Sequence, residues 1–332
     1  MPSTTPSTIT PQTLIDYARL YPWTVAATGV GGYSDQPALS FANDIAQLIM
    51  SKANPWKWNS NPISPIYTQP YQQDYPINVS QNLMGWLESG TLIDINNQSR
   101  PIPQTPIRAV SRLLPTNTCA IPKECCWVPN EIAQFSTWPG NNQVYTNPLS
   151  SLGGGPASNP RTAILDPNGN IQLVTTYGTT ISSSIPSWPA ANAAAGTTTS
   201  DGTVVWTVQD PNGVSIRLNA LATNNSQVWS INLVYQEKPP VISTLGQTFA
   251  PIPDDLGYLI RQGFLTFCTR IADSKKFQEQ YVQWLADIQD ALMGSDREPQ
   301  EFSIYPANSL QGKSSSWNYP GWPGWTNNDG GY

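Results

Sequence analysis

From about Ile63 to Val241, turns rich in Pro, Gly and Asn cut the chain into short alternating or apolar runs, a pattern that signals short strands joined by turns. The runs are Leu83 to Trp86, Thr91 to Ile95, Ile107 to Leu113, Ile171 to Thr175, Val204 to Val208, Ser215 to Asn219 and Val228 to Tyr235. Asp201-Gly202 and Asn212-Gly213 tolerate positive φ, as tight hairpins need. Leu152-Gly153-Gly154-Gly155-Pro156 reads as a loop entering an inserted subdomain. The stretch from Ser182 to Ser200, with Pro186-Ser187-Trp188-Pro189, reads as a long loop before the second hairpin.

Helical periodicity lies on either side of this region. In the segment from Ser34 to Lys52, Phe41, Ile45, Leu48 and Ile49 fall on one face, and Asn54-Pro55 ends the helix. Trp56-Lys57-Trp58-Asn59 follows as an aromatic plug able to seat the helix end against a second layer. After Pro251 and Pro253, Asp254 and Asp255 suit a helix N-terminus. Leu256, Leu259, Ile260, Phe264, Phe267 and Ile271 keep a helical period, and so do Phe277, Tyr281, Trp284, Ile288 and Leu292 beyond a break at Asp273-Ser274. This pattern fits a hairpin or one bent helix equally. Residues 1–33 and 296–332 read as extended arms, the second rich in Gly, Asn and Pro and carrying Trp317, Tyr319, Trp322 and Trp325.

Composition narrows the function classes. Charged residues make up 11% of the 332 residues, against roughly 25% in an ordinary globular domain. Such a surface loses less side-chain entropy on ordering and suits broad, permanent, partly aromatic contacts. The chain has no histidine, so the commonest general base and metal ligand is missing. A net charge of -6 argues against gripping nucleic acid through phosphates and fits a duct wall past which DNA slides. The N-terminus has neither the basic nor the apolar region of a signal peptide, and no apolar run is long enough to span a bilayer, so a protein made in a cytoplasm is expected. Cys119, Cys125, Cys126 and Cys268 lack zinc-site spacing and read as buried thiols; Asn78, Asn97 and Asn224 head chance sequons.

Carboxylate pairs such as Asp254 with Asp255, or Glu279 with Asp287, could be nominated for glycoside hydrolysis, but helix-terminus and polar-face roles explain them better. Gly153-Gly154-Gly155 lacks the Lys-Ser/Thr of a phosphate loop, and Arg100, Arg108 and Arg112 do not make a dense basic patch. Neither catalytic residues, a metal site nor a cofactor are expected. Trp188, Trp206 and Trp229 could build a carbohydrate-stacking platform, although strand aromatics are ordinarily structural.

Tyr177-Gly178-Thr179-Thr180, Ser184-Ile185-Pro186-Ser187-Trp188-Pro189 and Thr199-Ser200-Asp201-Gly202-Thr203-Val204-Val205-Trp206-Thr207 together resemble a small β-hairpin module that recurs in tailed-phage virion proteins, some of whose relatives look like carbohydrate-binding modules. The wider order, a helix ending in Trp56-Lys57-Trp58, a β domain and then the helical segment from Leu256 to Leu292, is similar to the phage head-to-tail connector family, the adaptor or tubular tail protein A-like proteins. The chain's length and its insertion near residues 150–210 depart from that family. The resemblance implies a homo-oligomeric ring of twelve copies in the virion neck, joining the portal to the tail and lining a channel for DNA that is passed without sequence-specific binding. It implies no membrane partner.

The expectation is therefore an α+β chain. A helical bundle formed by N- and C-terminal segments brackets a β-sandwich or barrel-like domain that carries a β insertion and extended terminal arms. The expected boundaries are 1–33 for the arm, 34–60 for the first helix, 61–250 for the β domain, 251–295 for the C-terminal helical segment and 296–332 for the last arm. Trp56, Trp58, Trp317, Tyr319, Trp322 and Trp325 are the expected interface anchors. The competing expectation is a tail-fibre or receptor-binding protein that stacks a surface glycan on Trp188 and Trp206.

Overall fold

The computed structural model describes residues 5–21, 35–93, 98–110, 121–146, 161–221 and 228–296. Within them, frequent proline and glycine hold the strands to between two and ten residues. The longest, β4 (Met84–Ile93), pairs antiparallel with β15 (Ser230–Glu237) and with β5 (Ser99–Pro101); β1 (Ser60–Pro62) and β2 (Ile66–Tyr67) both pair with β15 on its other edge. A second, three-stranded sheet runs β3 (Asp74–Ser80), β14 (Gly213–Leu218), β6 (Cys125–Pro129), with the central β14 buried at every position. The two sheets share one apolar cluster, in which Met84, Leu92, Ile231 and Leu233 of the first meet Ile77, Val214 and Ile216 of the second. Together they form a platform. Inside it Arg217 pairs in fork geometry with Asp74 across β14 and β3, at 2.7 Å (Nε to Oδ1) and 2.8 Å (Nη2 to Oδ2), and the Gln134 amide donates to the same carboxylate.

Between β6 and β14 the chain leaves the platform to build a separate module. Its sheet runs β12 (Thr198–Asp201), β13 (Val204–Val208), β10 (Ile171–Thr176), β9 (Ala163–Leu165), β7 (Ser136–Thr137), with only the β7–β9 pair parallel. A two-stranded ladder of β8 (Val144–Tyr145) with β11 (Gly178–Thr179) flanks it. The insertion thus begins near Ser136, earlier than the expected residue 150.

Among the described residues four α-helices make a further layer: α1 (Pro11–Ala18), α2 (Asp35–Ile49), α3 (Gly257–Ala272) and α4 (Ser274–Asp296). On α2, Phe41, Ile45 and Ile49 are buried and Leu48 packs beside them, which is the face read from the periodicity. Asp273 decides between hairpin and bent helix. Its backbone is extended (φ -153°, ψ 101°), ending α3, and its Oδ1 accepts from the amides of Lys275 and Lys276, starting α4. The chain folds back, so that Trp284 of α4 lies on Gly263 of α3 and donates its indole N–H to the Leu259 carbonyl at 2.9 Å. Among the described residues no helix is long and apolar enough to cross a membrane.

This architecture corrects the expected fold class. Strand, at 30%, exceeds helix, at 27%, and the strands are divided among four sheets, none of which closes into a barrel. The helices form one layer beside the sheets, not a bundle bracketing a domain. The N-terminal arm is corrected in part as well. Thr10 caps α1 in a reciprocal box with Thr13, Pro11 occupies its first turn, and Leu14 and Ile15 are buried in the helical core.

Candidate functional site

Trp56 belongs to the core. It is fully buried, donates its indole N–H to the Ile49 carbonyl at 2.7 Å, and together with the Asn54 side-chain amide caps the C-terminal end of α2. Its own carbonyl accepts from Gln236 of β15 at 3.0 Å, so the aromatic plug seats the helix end on the large sheet. Trp58 is half-buried, with its ring centroid 5.9 Å from that of Trp56. Both are spent on intramolecular packing, which corrects the expectation of Trp56 as an interface anchor. Trp317, Tyr319, Trp322 and Trp325 lie outside the described residues.

The inserted module is organised around one carboxylate. Asp201, buried at the end of β12, accepts from the indole N–H of Trp138 at 3.0 Å and of Trp206 at 3.2 Å through Oδ2, and from the Ile181 amide at 2.9 Å through Oδ1. Three N–H donors satisfy the charge without a cation. Around it Trp188 stands edge-on to Trp138 and Trp206, and Tyr145 edge-on to Trp206, with centroids 5.4 to 6.2 Å apart. Gly202 has φ +66°, and a Cβ there would sit 2.4 Å from the Thr179 carbonyl. The Thr203 hydroxyl accepts from the Thr179 amide at 2.7 Å. Asp-Gly-Thr-Val-x-Trp therefore writes a clamp, a tight turn, a strand-to-strand tie and a core residue. Trp206, with no exposed surface, offers no face to a sugar, and Trp188 is half-buried. Trp229 is buried in the platform, with the Arg100 guanidinium over its ring. The expected stacking platform is not formed, because the hairpin folds its tryptophans inward around Asp201.

Gln72 ties module to platform. Its Oε1 accepts from the amides of Thr162 (3.0 Å) and Ala163 (3.3 Å), and its Nε2 donates to the Asp74 carbonyl. Two open cavities of about 400 and 410 Å³ lie at this junction. The first is walled by Pro62, Tyr67, Tyr75 and Tyr235 of the platform and by Leu173 and Tyr177 of the module. It was illegible in sequence, because its walls come from segments more than a hundred residues apart.

Two of the nominated carboxylates, Asp254 and Asp287, have structural work. Asp254 accepts from the amide and hydroxyl of Thr8, and with the Thr5 carbonyl it holds the N-terminal segment. Asp287 accepts from Gln262 across the helical hairpin and from Gln283. Among the described residues no group of three or more acidic or cysteine side chains could hold a metal ion. Burial raises the thiols of Cys125 and Cys268 to about 12 and that of Cys126 to about 11.

No protein-family model and no curated protein matches this chain.

Proposed function

We propose that this chain is a structural virion protein of a phage neck, joining the portal to the tail as a homo-oligomeric ring and forming part of the channel through which DNA leaves. The observation that carries the reading is the inserted module. Asp201, Gly202, Thr203, Trp188 and Trp206, the residues of its likeness to virion hairpin modules, all act within the module's own fold. The likeness thus rests on residues that the module's own fold needs. The outer helical face adds support, since Val282 and Met293 of α4 and Tyr258 of α3 are at least half exposed, a feature suited to a permanent neighbour. A surface poor in charge, with acidic residues outnumbering basic ones by 22 to 16, suits a duct that must not trap DNA.

Removing Ser314 to Tyr332, with its four aromatic anchors, tests the reading. The shortened chain is expected to keep the thermal transition of the full chain and to lose co-sedimentation with the portal ring. Undiminished co-sedimentation would overturn the assignment of those anchors.

A further inference from the structure

We infer that the cavity between platform and module is a binding site for a neutral saccharide. It measures about 400 Å³, within the size range of small-ligand pockets, and none of the residues lining it is Asp, Glu, Lys or Arg. An ionic ligand would lose its hydration there and gain no counter-charge. A wholly apolar ligand is disfavoured, because it would cover the amides of Asn78 and Gln209 in the cavity wall without a hydrogen bond in return. Hydroxyl groups satisfy them.

The remainder of the wall has the two components that a sugar ring requires. Tyr67 and Tyr177 are half-buried tyrosines from opposite walls, aromatic side chains of the kind that stack on the C–H side of a pyranose. The exposed Asn78 and the half-buried Gln209 bring amides that both donate and accept, one from each wall. The site is pre-organised. Tyr75 Oη accepts from the Gln69 amide at 2.9 Å, and Gln72 fixes Thr162 on the module side. A ligand therefore need not pay to order the walls. The location differs from the tryptophan cluster, whose indoles are turned inward.

The full-length chain, applied to an array of immobilised neutral and acidic glycans, should retain neutral ones. In calorimetric titration with the strongest neutral glycan, Tyr177→Ala should weaken binding about tenfold or more and Tyr177→Phe by no more than about threefold. Asn78→Ala, on an exposed side chain that the fold does not need, should weaken it several-fold, and Val282→Ser on the far helical face should leave it unchanged. Retention of no neutral glycan, retention of acidic glycans alone, displacement of the glycan by a proline-rich decapeptide that binds more tightly, or unchanged affinity in both Tyr177→Ala and Asn78→Ala would overturn the inference. Ring assembly plays no part in this test, so the neck reading and the saccharide site can fail separately.

Discussion

Asp201 shows how much of a small domain one side chain can hold. Its carboxylate, itself with no exposed surface, gathers two indoles and a backbone amide. Asp201→Ala would leave those donors buried and unpaired, at a cost of about 3–5 kcal/mol. Asp201→Asn keeps an acceptor for some of them and should cost less. Guanidinium unfolding followed by tryptophan fluorescence should rank wild type, Asn and Ala in falling order of midpoint; equal midpoints for wild type and Ala would refute the clamp. The cysteines give a second test at this scale. With their thiols raised by burial to about 12, 11 and 12, Cys125, Cys126 and Cys268 are protonated at pH 8 and screened from reagent. Iodoacetamide labelling of the native chain, mapped by mass spectrometry, should leave all three unmodified until denaturant is added.

At the scale of elements, the helical hairpin depends on a close approach. Gly263 presents bare backbone to the Trp284 ring, where a Cβ would lie 2.6 Å from Cζ2. Trp284 is fully buried and tied to Leu259, so it has no room to withdraw. Gly263→Ala, which would favour an isolated helix, should here destabilise by about 1–3 kcal/mol, read as a lower thermal midpoint. A midpoint unchanged or raised would mean that α3 and α4 do not pack as described. The module's tether makes a second case. Gln72→Ala frees the Thr162 and Ala163 amides, and hydrogen exchange at those two positions should accelerate while the platform's β14 amides stay protected. Elements of this kind were unequally legible in the sequence. The apolar period of α2 and of the hairpin was plain, because one helical face repeats within a few residues. The eight residues of α1 were hidden by their Ser/Thr/Pro surroundings, although the Thr10 cap and Pro11 were clues. Cys125–Pro129, a strand buried on both sides of a three-stranded sheet, shows no alternation to read.

For the whole molecule, legibility fell with distance along the chain. Turn chemistry located the Asp201-Gly202 hairpin, yet nothing local announced that Trp138, 63 residues away, would share its carboxylate. The fold class was misjudged for the same reason: short strands were evident, but how the fifteen among the described residues would divide among four open sheets depends on pairings across the chain. Trp56 looked like a partner's anchor because its sequence neighbourhood does not reveal Gln236, 180 residues on, waiting to receive it. The cavity beneath Tyr177 belongs to the same category, a product of how module and platform meet. The proposed neck role requires contacts between copies, and these are directly observable. Electron microscopy of the full-length chain mixed with the portal ring of its particle should show a ring of about a dozen copies, coaxial with the portal and open along its axis. A chain that remains monomeric or trimeric and leaves the portal bare would contradict the neck reading.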